Sequence, residues 1–160
     1  MCIRDSSAKL ADQTEIISDH PFEVVISAGD VKLYVSEMSL RTGRLERYFS
    51  LDDVEYARNN LEELDRQLET PVARIEELYL GDAADVQGLK DTLALLQTER
   101  EAYLEYCARP DTTGEDIEAY AKEHLQPLYD RALGQTEQII SIAQKKKVGY
   151  GETANACLLY

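Results

Sequence analysis

The chain has 160 residues, with 17 lysine and arginine side chains against 31 aspartate and glutamate, a formal net charge of −14. A surface this acidic repels phosphate backbones and anionic lipid headgroups, which excludes nucleic acid as a partner and a membrane-surface role. The length suits one domain with a real core, and the longest apolar runs, such as Val24-Val25-Ile26, fall far short of the ~18 residues a membrane helix needs.

The two ends differ from what lies between them. Read back into codons, Met1-Cys2-Ile3-Arg4-Asp5-Ser6 resembles the mosaic-end adapter of transposon-based sequencing libraries, and Cys157-Leu158-Leu159-Tyr160 resembles its reverse complement. Residues 1–6 and 157–160 are therefore expected to be adapter scars around one domain, 7–155. Two of the three cysteines fall in the scars, leaving Cys107 alone without an internal disulfide partner. On this reading a missing leader or membrane helix carries no information.

From Val24 the apolar positions run Val24, Ala28, Val31, Val35, Met38, Thr42, Leu45 and Phe49, alternating steps of four and three. This is a heptad seam and predicts a first helix over about 8–49, with a bend near 20 where Pro21 can restart it. A second seam, Val54 to Leu78, predicts a helix over 51–80; Pro71 lies inside it, but Leu68-Val72-Ile75 keeps phase, which favours a kink over a break. Val86, Leu89, Leu93, Leu96, Tyr103 and Cys107 mark a third helix over 83–108. Ile117, Tyr120, Ala121, His124, Leu128, Ala132, Ile139, Ile142 and Ala143 mark a fourth over 114–150, looser around Pro127 and Gly134, with His124 on the inner seam. Strands are not expected, since nothing alternates with period two over a useful length.

Punctuation fits these bounds. Ser50-Leu51-Asp52-Asp53 and Thr113-Gly114-Glu115-Asp116 have the hydroxyl-x-x-acid form of a helix start. Gly81 suits a left-handed helix stop, Asp82 a cap for the third helix, and Pro110 closes the third. Four helices of ~40 to 55 Å joined by short turns predict an all-α, antiparallel up-down-up-down four-helix bundle.

The first helix carries a second apolar stripe, Ile26, Gly29, Leu33, Ser36, Leu40 and Gly43, again stepping by three and four. A helix apolar on two faces needs two partners, so this stripe is expected to meet its twin in a homodimer, the small residues allowing close approach. The competing expectation places this helix centrally, covered by its neighbours on both sides. Near the end of the same helix stand Arg41, Arg44 and Arg47, candidates to grip a carboxylate in bidentate fashion across the dimer; the plainer alternative pairs them with Glu37, Glu46 and Asp52.

Catalytic, cofactor and metal chemistry finds no support in the spacing. Glu-x-x-His is absent, because Ile17 precedes His20 and Ala121 precedes His124 by three; two distant histidines and one cysteine give no zinc set, and Met38 is a core methionine before it is a haem ligand. No enzyme and no cofactor are expected.

The stretch Ile17-Ser18-Asp19-His20-Pro21-Phe22-Glu23-Val24-Val25, opening a long helix, resembles the His-Pro start of the four-helix-bundle sensor domains found outside the membrane in bacterial chemoreceptors, sensor kinases and diguanylate cyclases. The region matching the family's Met-His-Arg-Ser-Met-Lys-like segment reads Glu37-Met38-Ser39-Leu40-Arg41-Thr42-Gly43, keeping a methionine and an arginine but not the histidine. The resemblance implies a homodimeric periplasmic or extracytoplasmic part of an inner-membrane receptor, with membrane helices outside the fragment. It also implies a small-molecule ligand or a ligand-loaded periplasmic binding protein as partner, and helix-shift signalling to a cytoplasmic output. The rival expectation is a soluble helical adaptor or structural bundle that binds partner helices.

Overall fold

The computed structural model describes the backbone of residues 3–47 and 49–158, and the side chains of 20–47 and 49–146. Residues 1–2 and 159–160 of the two suspected scars lie outside it, and nothing is described of the side chains in the remainder of either scar. Among the described residues the chain is helical without strands: α1 (Ile3–Leu45), α2 (Leu51–Leu78), α3 (Ala83–Cys107), α4 (Gly114–Tyr120), a π-helical turn (Ala121–Leu125) and α5 (Gln126–Leu158). The last three run on from one another as a fourth long helix, so the fold has four.

The seams do the packing. Val24, Ala28, Val31, Val35, Met38, Thr42 and Leu45 are all buried, as are Val54, Ala57, Leu61, Leu64, Leu68, Ile75 and Leu78 of α2. α1 packs mainly on α2 and α5, and α3 on α5 and α2. A fully buried leucine or isoleucine removes enough apolar surface to contribute ~1.5 to 3 kcal/mol, so each seam is worth far more than helix propensity alone. No helix among the described residues is long and apolar enough to cross a membrane.

Caps sit where the hydroxyl-x-x-acid pattern put them. The Asp53 N–H donates to Ser50 Oγ while the Ser50 N–H donates to the Asp53 carboxylate, and Thr113 and Asp116 do the same at α4. Asp82 caps α3 by accepting from the Ala84 N–H at 2.9 Å.

Five expectations need correction. α1 ends at Leu45 and not at 49, because the Arg47 N–H turns back to the Arg44 carbonyl at 3.1 Å and Ser50 must be extended to cap α2; Phe49 therefore leaves the core seam for the surface. Pro21 does not restart α1, which runs through it: the proline is itself buried, and the one hydrogen bond it cannot make does not break the helix. α2 passes through Pro71, whose ring is buried while Val72 is only half-buried, so the seam steps Leu68-Pro71-Ile75. No described glycine has a positive φ; Gly81 is small for another reason, since a methyl there would lie 2.4 Å from the Tyr79 ring folded over it. Finally His124 is exposed and Leu125 takes the inner place, because the π-turn inserts a residue that rotates the seam.

Candidate functional site

The end of α1 and the turn after it bring Arg41, Arg44 and Arg47 to one open groove of about 750 Å³, walled across from them by Tyr56, Ala57 and Asn60 of α2. Spacing explains the convergence: on a helix, residues three apart are surface neighbours. Arg41 is half-buried and held by Glu37, one turn back, whose Oε1 accepts from its Nη2, while its Nε is buried without a hydrogen-bond partner. Arg44 and Arg47 are exposed and form no ion pair among the described residues. Of the acids weighed as their partners, Glu37 takes Arg41, and Glu46 lines the groove beside Arg47. Burial first, and the carboxylate of Glu118 second, push the Glu46 carboxyl up, with Arg47 opposing. Asp53, also on the groove, is occupied by the α2 capping box.

The groove does not stop at the arginines. Through Leu40, Arg41 and Arg44 it meets a second depression of about 310 Å³ walled by Leu33 and Ser36. These are members of the second stripe, and the stripe lies on the outside: Leu33 is 60% and Leu40 69% exposed, Ile26 is exposed, and Gly29 has nothing within 4 Å of where a methyl would stand. Neighbouring helices therefore do not cover it. Phe22, four residues before Ile26, extends the same spacing and is also largely exposed.

Behind the groove lies a buried polar cluster that the sequence reading missed. Arg100 of α3 is 3% exposed; its Nη2 donates to both oxygens of Asp65 on α2, and its Nη1 to the Met38 sulfur on α1 at 3.1 Å. The Tyr103 hydroxyl donates to the Thr42 carbonyl at 3.0 Å, and Thr42 Oγ1 lies 3.4 Å from the hydroxyl of Tyr129 on α5. Met38 and Thr42 flank Arg41 in the sequence, so the helix that offers an arginine to the groove also offers two residues to this cluster. The signal was present: the third seam steps Leu96, then Tyr103, and a regular 4-3 step lands on position 100 between them. Burial pushes the hydroxyls of Tyr103 and Tyr129 up, keeping both neutral throughout the physiological range.

The His124 ring packs tilted against Tyr120 with ring centroids 4.5 Å apart, and Tyr120 stacks on Tyr106 at 4.9 Å. Among the described residues no three histidine, cysteine or carboxylate side chains are placed to hold a metal ion. Compared with known proteins, the chain matches no family model, no curated protein and no solved structure.

Proposed function

We propose that this chain is the ligand-sensing extracytoplasmic module of a bacterial transmembrane signalling receptor, working as a homodimer through the second stripe of α1. The observation that carries the reading is the continuity of the arginine groove with that stripe: a carboxylate-bearing ligand held by Arg41, Arg44 and Arg47 would lie against the seam between two copies. Arg44 and Arg47 stand exposed with no ion pair among the described residues, and a carboxylate is the natural complement of such guanidinium groups.

We infer an antiparallel up-down-up-down order for the four helices. Cross-helix pairs support it, since early residues of one helix meet late residues of the next in Glu23 with Arg74, Glu76 with Lys90, Arg58 with Glu101 and Asp85 with Gln138, while Lys32 and Thr42 of α1 meet Glu137 and Tyr129 of α5 in reverse order. The groove then sits at one end of the bundle, and the start of α1 and the end of α5 leave by the other. Ligand binding at the groove favours one packing of α1 against α5, a shift of ~1 to 2 Å that following membrane helices would carry to a cytoplasmic output.

Sedimentation velocity tests the assembly. The wild-type chain sediments as a dimer and the Leu33→Asp, Leu40→Asp variant as a folded monomer; a wild-type monomer that captures helical peptides instead would favour the adaptor reading.

A further inference from the structure

The two walls of the arginine groove differ in kind. Its cations all stand on one side, Arg41 and Arg44 on α1 and Arg47 in the turn after it. To the other side α2 contributes Asp53, Tyr56, Ala57 and Asn60, none of them basic. Asp53 is tied into the helix cap, and the Asn60 Nδ2 donates to the Tyr56 carbonyl at 2.7 Å. The largest side chain on this wall is Tyr56, an aromatic ring left 67% exposed.

An exposed tyrosine standing alone would need no explanation. This one shares a cavity of about 750 Å³ with Leu40, also exposed, and with the buried Leu45 and Ala57, so apolar surface accompanies the guanidinium groups in one groove. An apolar lining with a few converging polar groups suits a small organic ligand. Charge narrows the class further. The groove sets three guanidinium groups against the carboxylates of Glu46 and Asp53, an excess of one positive charge that a single carboxylate balances. A second carboxylate reaching the α2 wall would meet Asp53 and no cation.

We propose that the ligand of this groove is a carboxylic acid with an aromatic body, its carboxylate held by Arg44 and Arg47 and its ring lying against Tyr56 and Leu40. This rests on the reading of the groove as a carboxylate site and adds the class of acid. Tyr56 is then the residue that sets specificity, because paired aromatic rings gain more than the area they bury, and guanidinium planes stack on rings as well. Short dicarboxylates, which bring a second charge and no ring, are the poorer ligands.

Two probes matched in their carbon chain test the assignment. 3-Phenylpropanoate and succinate are both propanoates substituted at the third carbon, one with a phenyl ring and the other with a second carboxylate. Isothermal titration calorimetry on the full chain should find 3-phenylpropanoate binding about tenfold more tightly than succinate. Tyr56→Ala, at an exposed position that leaves the fold intact by circular dichroism, should reduce that ratio about fivefold, and Tyr56→Phe should keep it. Succinate binding as tightly as 3-phenylpropanoate, or a ratio that Tyr56→Ala does not change, overturns the aromatic assignment and leaves the carboxylate reading standing. Binding of neither probe overturns the assignment as well; the carboxylate reading falls separately, only if no other acid occupies the groove.

Discussion

Arg100 of α3 and Asp65 of α2 meet in the interior as a two-point contact, one guanidinium nitrogen donating to both carboxylate oxygens. A buried cation with one acid partner is costly to isolate. Asp65→Ala removes the carboxylate that holds the buried guanidinium of Arg100 and should lower stability by ~3 to 5 kcal/mol in urea unfolding. The paired change Arg100→Met, Asp65→Leu removes both charges and should recover most of that loss.

The two apolar faces of α1 should respond differently to truncation. Val31→Ala on the core face removes two methyl groups from a fully buried site and should cost roughly 1 to 3 kcal/mol. Leu40→Ala on the stripe starts from a side chain already 69% exposed, so it should change the stability of the isolated monomer by less than about 0.5 kcal/mol while weakening the proposed dimer. Unfolding midpoints at several protein concentrations separate the two.

Two carboxylates where α1 meets α4 should have opposite pH signatures. Glu46 is raised from its ordinary 4.5, so its neutral form is the one the fold favours; that benefit is complete below 4.5 and is lost as pH rises through the raised value. Glu46→Gln should therefore raise stability at neutral pH and lose the advantage on acidification. Asp116 is lowered from its ordinary 3.8 by the hydrogen bonds of Thr113, so its contribution is present above 3.8 and disappears as pH falls through the lowered value. Asp116→Asn should destabilise at neutral pH and become indifferent in acid. Urea midpoints over a pH series read both.

Cys107 is buried beside Tyr103, and burial pushes its thiol up to about 11. Near pH 8 only roughly one molecule in a thousand would carry the thiolate even if it were accessible. Iodoacetamide should label Cys107, identified by peptide mass, only at the rate at which the core opens; rapid labelling under native conditions would contradict the packing around it.

Helix number and the core faces of α1, α2 and most of α3 were legible because heptad spacing reports burial directly, residue by residue from Val24 to Leu45. The three arginines were legible as a cluster because residues three apart on a helix must be neighbours. What spacing does not report is the exception to its own period. Arg100 was passed over because a charged residue on a seam reads as a gap, although Asp65 makes its burial possible. His124 was placed inward because a regular helix puts it there, and only the π-turn exchanges it for Leu125. Gly81 was assigned a backbone role when its smallness serves the Tyr79 ring, a contact set by tertiary packing.

The central claim is that the arginine groove of α1 binds a carboxylate-bearing small molecule. Hydrogen exchange of the chain alone and with each member of a panel of free amino acids and short dicarboxylates tests it at the site. The account predicts that at least one member protects residues 37–50, and that Arg44→Ala, Arg47→Ala abolishes the protection while leaving the core of α2 and α3 unchanged. Protection of 37–50 by no member of the panel, or protection that survives the double substitution, would contradict it.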